Sequence, residues 1–356
     1  MFLSVIIPVR NESEHIADVL NSLLAQNYDE EQFEILVCDG MSTDNTPQIV
    51  QSYCSQYPNV RYFENPKRLA CAARNIGVQN AQGDAVLIVD GHCIIDNPDM
   101  LANVAKTFEE SGADCLGRPQ PLEMKDATAI QWAIAAARRS PLGHHADSFI
   151  YSNKAQFVPA SSVAIAYRKS VFGTVFNEQG GYFDETFDAC EDVEFNTRCD
   201  KAGLKCWFDP AIAVRYVPRK TINGLMYQLF RYGQGRVRLA RKHRDTFSLK
   251  TFAPGLFVLF AIAGYFLSLL NFLAIQYDLP VIHHFWFKAY AMSCVILLGG
   301  VLGVYLLSLF IESFRIANKI NRLSLFPLLP HVFLTIHIGF GWGIVKEFFT
   351  LLIRQK

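Results

Sequence analysis

The chain has 356 residues, enough for about two domains, and its 33 Lys/Arg balance 33 Asp/Glu, so net charge points to no class of partner. Nine cysteines, an odd number without a C-x-x-C pair, fit a reduced cytosolic compartment better than a disulfide framework, with most of them read as small buried hydrophobes. The charges are unevenly spread: residues 215 to 250 hold ten Lys/Arg and a single acid, Asp245, whereas residues 251 to 277 hold no charge.

In chain order, Leu3 to Val9 is a short apolar run. Ser13 to Gln26 carries Ile16, Val19, Leu20, Leu23 and Leu24 on one helical stripe, with Ser13 as its N-cap. Strand Phe33 to Cys38, helix Asp44 to Tyr57, strand Val60 to Phe63, helix Leu69 to Ala81 and strand Ala85 to Val89 follow. This rhythm predicts an α/β fold with a parallel, doubly wound sheet. Ligands of such sheets sit at the carboxyl ends of the strands. Met1 to Val9 lacks a basic leader, which predicts that the N-terminal half stays in the cytosol. Ile130 to Arg139, with Trp132, several alanines and two arginines, reads as an interfacial helix, and His144-His145 as a solvated loop.

Three uncharged stretches follow the basic segment: 251–277, 289–311 and 323–345. Each exceeds the roughly 20 residues that cross a bilayer. The third contains Pro327, Pro330, His331 and His337 and is rich in glycine; a kinked span, a re-entrant segment and an interfacial helix all fit it, spanning being preferred. The positive-inside rule puts the basic segment and the 312–322 loop, with Arg315, Lys319 and Arg322, in the cytosol. The basic tail from Lys346 to Lys356 sits uneasily with a third crossing.

Four polar clusters fall at strand ends or beyond: Pro8-Val9-Arg10-Asn11-Glu12, Cys38-Asp39-Gly40-Met41-Ser42-Thr43-Asp44, Asp90-Gly91-His92 and Glu191-Asp192-Val193-Glu194. Together with Ala72-Ala73-Arg74-Asn75-Ile76-Gly77 and Gly180-Gly181-Tyr182-Phe183-Asp184-Glu185, their order resembles the family 2 glycosyltransferases, inverting enzymes with the GT-A fold. The resemblance covers roughly residues 3 to 240. It implies a catalytic domain at 1–214; the charge and hydropathy patterns mark a basic interfacial collar at 215–250 and a membrane domain at 251–356 with two or three transmembrane helices.

The resemblance also implies roles. Asp39 would accept a hydrogen bond from the base of a UDP-linked sugar, Pro8, Arg10 and Glu12 would line the same pocket, and Arg74 would lie near base and ribose. Asp90-Gly91-His92 stands where the family has Asp-x-Asp, which holds a divalent cation against the donor diphosphate. The His is a departure: an imidazole suits Mn²⁺ better than Mg²⁺. His92 is therefore expected as metal ligand, with Asp90 at the metal site as a ribose or outer contact. Asp192 would be the general base of a single in-line displacement, with Glu191 beside it or helping to cap a helix.

Gln228, Arg231 and Tyr232 are similar to the Q-x-x-R-W element of membrane polysaccharide synthases, with Tyr for Trp, and would serve acceptor or diphosphate. The same segment reads equally as a helix whose Arg236, Arg238, Arg241, Lys242 and Arg244 meet anionic lipid headgroups. The expected partners are a nucleotide-sugar donor, a saccharide linked to polyprenyl diphosphate and membrane lipids, with no nucleic acid. The expected location is the cytoplasmic (inner) membrane. The layout resembles the succinoglycan-type exopolysaccharide glucosyltransferases. A processive synthase, a polyprenyl-phosphate glycosyltransferase and a non-catalytic membrane scaffold are the alternatives.

Overall fold

The computed structural model describes residues 1–122, 126–143, 149–176, 181–277 and 285–354. The 144–145 His pair lies outside them. The chain divides into two compact units, Met1–Ala127 with Ala146–Pro218, and Thr128–His145 with Arg219–Lys356.

The first unit starts with β1 (Leu3–Val9), α1 (Ile16–Leu24), β2 (Phe33–Asp39), α2 (Thr46–Gln56), β3 (Val60–Glu64), α3 (Ala70–Asn80) and β4 (Ala85–Ile88). β1 pairs in parallel with both β2 and β4, and β2 with β3, so this half has the expected parallel order 3-2-1-4. The next elements are β5 (Cys93–Ile94), α4 (Met100–Ser111) and β6 (Cys115–Gly117). Then α5 (Ala129–Arg138) departs to the second unit. The chain returns as β7 (Gln156–Val158), α6 (Ala160–Val163), β8 (Ala164–Arg168), α7 (Lys169–Thr174), α8 (Glu191–Lys201), β9 (Cys206–Phe208) and β10 (Arg215–Tyr216).

Beyond β4 the sheet is mixed, with β6 and β9 parallel and the other pairs antiparallel. Its full order is 3-2-1-4-8-6-9-7, and β8 runs antiparallel to both β4 and β6. Local periodicity gives no access to this pairing, because β8 reaches β4 from far along the chain. β1 and β2 are buried on both faces, which is why they read as continuous apolar runs. Leu3, Val5, Ile7 and Val9 face a layer formed by α1, α2 and α4, while Ile6 faces α3, α7 and α8. A two-stranded ribbon of β5 and β10 stands apart and sets Tyr216 opposite Cys93.

One cap differs from expectation. Helix α1 begins at Ile16 after His15, and the carbonyl of Glu12 accepts from both His15 and Ile16 N–H at 2.9 Å. Ser13 is not its cap: its N–H is taken by Asp44 Oδ2 (3.1 Å), a partner from the loop after β2.

The second unit contains α5, α9 (Ile222–Lys242), α10 (Leu249–Gln276), α11 (Phe285–Lys319) and α12 (Leu328–Arg354). Thr128 and Gln131 close a reciprocal capping box at the start of α5. Of the segment read as a collar, 215–218 with β10 belong to the first unit, and α9 and the turn into α10 to this one. Three helices are long and apolar enough to cross a membrane, but their surroundings differ. The apolar windows of α10 and α11 are 11% buried, that of α12 61%.

Candidate active site

The loops after β1, β2 and β4 lie together because these strands run parallel in register, with Val9 opposite Asp39 and Ile6 opposite Ile88. The reversal of strand order between β1 and β4 opens the crevice in which doubly wound sheets bind ligands. Two residues here adopt left-handed backbone, Asn11 (φ 56°) and Met41 (φ 55°). Such conformations concentrate at functional loops. The Asn11 side-chain Oδ1 accepts from Thr43 N–H (2.8 Å), and Asn11 backbone N–H donates to Ser42 Oγ (2.8 Å), which locks the two loops together.

Asp39 ends β2 and is buried. Its carboxylate accepts from Ser42 Oγ, from Ser42 N–H (3.1 Å) and from Tyr62 OH (3.0 Å). Burial, then the bond to Asp39, pushes the Tyr62 hydroxyl pKa up, so it remains a donor. Pro8 lies in β1 beside Cys38, and Arg10 packs near Gly40.

The Asp90-Gly91-His92 turn is pressed against β1. A Cβ at Gly91 would come within 2.7 Å of Val9 Cγ1, so only glycine fits there. The turn brings His92 to Glu12, whose Oε1 accepts from Nδ1–H at 3.0 Å. Tyr216 meets the His92 ring edge to face, 5.2 Å between centroids.

Arg74, on α3, connects the turn to α8. Its Nη1 lies 2.9 Å from Glu191 Oε1 and its Nη2 4.0 Å from Asp90 Oδ1, with the guanidinium over the Phe183 ring at 5.5 Å. It is buried, yet Nε and Nη1 make no hydrogen bond among the described residues, because the contact to Glu191 is ionic without alignment. Burial opposes the charge, but Glu191, Asp192 and Asp90 together outweigh it and raise the Arg74 pKa. Glu191 is also buried. Desolvation raises its pKa, Arg74 opposes this, and Asp192 adds to it.

Asp192 stands in the first turn of α8, after Cys190 in left-handed backbone (φ 63°), and its Oδ1 accepts from Val193 N–H at 2.8 Å. The N-cap residue Cys190 makes no side-chain cap hydrogen bond. Glu194 instead holds Arg198 (3.0 Å), and Glu191 holds Arg74.

The loops of the sheet crevice thus carry a buried carboxylate, a turn with a carboxylate and an imidazole, and a carboxylate at a helix start reached through one arginine. The model of glycosyl transferase family 2 covers residues 4–176. The chain belongs to this family.

This glycosyltransferase is similar along 97% of its length to a dolichyl N-acetyl-α-D-glucosaminyl phosphate 3-β-D-2,3-diacetamido-2,3-dideoxy-β-D-glucuronosyltransferase of Methanococcus voltae, with 26% identity and 96% of that protein covered. It is 28% identical to the succinoglycan biosynthesis protein ExoA of Rhizobium meliloti, over 76% of this chain and 79% of the other. Among solved structures, the mannosyltransferase PcManGT of Pyrobaculum calidifontis superposes with a TM-score of 0.56 over 98% of this chain and 87% of that one, at 20% identity. That likeness establishes the fold, a GT-A α/β domain.

Ten of the residues singled out in the sequence (Pro8, Arg10, Glu12, Asp39, Arg74, Asp90, His92, Glu191, Asp192 and Glu194) belong to the glycosyltransferase's first unit. Contacts join Glu12 to His92, and Asp90 to Glu191 through Arg74. Gln228, Arg231 and Tyr232 lie on α9 in the second unit, where Gln228 Nε2 donates to Tyr232 OH (3.1 Å).

Two residues escaped the sequence reading. Tyr216 reaches His92 through the β5–β10 ribbon. Arg118, directly after β6, is 1% exposed, and Nη2 donates to Ile88 O (3.2 Å) while Nε and Nη1 make no hydrogen bond among the described residues. Burial lowers its pKa, and Cys93 and Asp90 partly offset this. Its position just past a strand end was the available signal.

Proposed function

We propose that the enzyme moves a hexose, with inversion, from a UDP-linked donor to a saccharide carried on polyprenyl diphosphate, in the synthesis of a cell-surface or exopolysaccharide. The observation that carries this reading is the bridge Asp90–Arg74–Glu191, which joins the donor turn to the helix start bearing Asp192. The unaligned N–H groups of the buried Arg74 suit an incoming anionic group, because an unpaired buried donor is costly.

Asp192 takes the proton of the acceptor hydroxyl as its oxygen attacks the anomeric carbon. The bond from that carbon to the diphosphate oxygen breaks on the opposite side, and the nucleoside diphosphate leaves with the electron pair. Asp39, Pro8, Arg10 and Glu12 form the base and ribose side of the pocket. His92 and Asp90 would hold a divalent ion, which supplies positive charge to the departing diphosphate. The donor set fits: Glu12 fixes Nδ1, the arrangement that orients a metal-binding imidazole through its other nitrogen. Among the described residues no cluster of three His, Cys, Asp or Glu lies together as an ion site. One imidazole ligand favours Mn²⁺ over Mg²⁺, and Mn²⁺ accompanies GDP-mannose in the Pyrobaculum relative.

The lipid-linked acceptor is supported by the apolar helices and by the dolichyl phosphate in the Methanococcus relative's name, and the polysaccharide product by the Rhizobium relative's name. The test is a donor screen by nucleoside diphosphate release on membranes, with acceptors that carry or lack a first sugar. Addition of one sugar to the pre-glycosylated lipid supports the reading. Release with bare polyprenyl phosphate or a polymeric product would replace it with one of the two related activities, and no release with any donor would leave a scaffold.

A further inference from the structure

We infer that α12 does not cross the membrane. It lies along the cytosolic surface beside α9, so that α10 and α11 are the two crossings and the tail after Lys346 stays on the side of the basic 219–250 segment. Composition alone makes α12 a third span; its contacts within the second unit argue otherwise.

The first observation is the pairing of α9 with α12. A Cβ on Gly339 would meet Met226 Sδ at 2.9 Å, one on Gly343 would collide with Phe230 O, and one on Gly233 with Phe340 O. Further along, Gln234 Nε2 donates to Glu347 Oε2 (3.0 Å) and Arg238 Nε to Glu347 Oε1 (2.9 Å). Met226, Phe230 and Gln234 thus meet Gly339, Gly343 and Glu347 in the same order, so the two helices run parallel, backbone to backbone. If α12 crossed, α9 would cross with it. Arg231, Arg236 and Arg238 would then enter the bilayer, where a buried cation is costly. Arg241, Lys242, Arg244 and Lys250 would also emerge on the far side, against the positive-inside rule.

The second observation is where α12 meets the other two helices. A Cβ on Gly341 would strike Pro254 O, and one on Gly255 would lie 2.7 Å from Ile344 Cγ2, so α12 touches α10 near its start. It touches α11 towards its end: Tyr305 OH donates to His337 Nδ1 (2.8 Å), and Tyr305 also packs on Phe257 with 4.6 Å between centroids. These contacts mark one level of the antiparallel α10–α11 pair. Beyond them run residues 259–276 of α10 and 285–304 of α11, about 27 Å and 30 Å of helix. That matches the ~30 Å hydrocarbon core without a third span.

The third observation is the outward face of α12. Ile338, Trp342, Phe349 and Ile353 are exposed at helical spacing, while Val332, Phe333, Ile336, Ile344 and Val345 are buried. A helix covered by protein on one side, with an aromatic and aliphatic stripe on the other, is built to rest in the headgroup and upper acyl region. The partner of this stripe is the lipid of the cytosolic leaflet.

The test uses the full chain in cell membranes. A sidedness reporter fused after Lys356 should read cytosolic, and the same reporter inserted after Tyr277 should read the opposite side. Both sites reading opposite to the cytosol would overturn the inference. Spin labels on W342C and L302C provide the second measurement. Collision depth should place the first at the interface and the second deep in the acyl region; equal depth would restore a third span.

Discussion

Glu12 holds the Nδ1 of His92 at 3.0 Å across 80 residues of sequence. The contact joins the loop after β1 to the turn after β4, and it dictates which imidazole nitrogen is turned towards the carboxylate. Removing the charge while keeping the shape, as Glu12→Gln, should weaken activation by the divalent ion by about 10- to 100-fold, the usual cost of losing such a partner. Titration of activity with Mn²⁺ and Mg²⁺ reads this directly. The wild-type enzyme should reach half-activation at no higher Mn²⁺ than Mg²⁺, and an unchanged metal titration in E12Q would dissociate Glu12 from the metal.

Asp192→Asn should lower turnover by about 10²- to 10⁴-fold, the range of a lost general base. Donor binding should be nearly unaffected, as Arg74 meets Glu191 and Asp90 directly. Measuring kcat together with nucleotide affinity separates the two. Retained turnover would remove Asp192 from the mechanism.

The pH profile follows from Glu191. Its pKa is raised by burial and restrained by Arg74. As pH falls, Glu191 therefore takes up its proton before an ordinary carboxylate does, and the ion pair with Arg74 is lost. The acid limb of kcat/KM should lie above the usual carboxylate range. Arg74→Met removes the restraint, so the limb should move to still higher pH, whereas Glu191→Gln should abolish that component. A limb that stays fixed in R74M would mean that another group controls it.

How much of this was legible in the sequence depends on the range of the interactions. β1 to β4 and their three loops could be read because each strand is a short apolar run, and a parallel sheet puts polar residues at its carboxyl edge. The same rule applied to β6 would have singled out Arg118, which follows Cys115-Leu116-Gly117 as Asp90 follows β4 by two residues. Ser13 was misread because its N–H is claimed by Asp44, whose position only the folded loops determine. Tyr216 depends on a two-residue ribbon too short to leave a pattern. In α12, hydropathy sees apolar side chains but not what covers them; Gly339, Gly341 and Gly343 were visible, but their role as the seats of α9 and α10 was not.

The second unit has an apolar groove of about 520 Å³ lined by residues including Ile130, Met226, Leu328, Val332 and Ile338. If the acceptor is a polyprenyl lipid, this groove can shelter part of its chain. Filling it with Leu328→Trp, at a half-buried lining position, should then raise the KM for a long-chain acceptor several-fold and leave a short-chain, water-soluble analogue unaffected. Equal effects on both would mean that the change acts through folding or the donor site.

Arg118 gives a prediction in which stability and activity part. Its guanidinium is buried with one hydrogen bond among the described residues, to Ile88 O, and burial pulls its pKa down. Desolvating a charge costs several kcal/mol, and replacing a poorly paired buried ion by a well-packed apolar side chain is often neutral or stabilising. Arg118→Met keeps most of the volume and should therefore melt no earlier than the wild type. Asp90, however, feels the Arg118 charge across the base of the donor turn. Losing that charge should raise the donor KM. A melting temperature that falls with unchanged kinetics would make Arg118 a structural residue. A stable protein with a weakened donor site would show that the chain tolerates this buried cation because donor binding needs it.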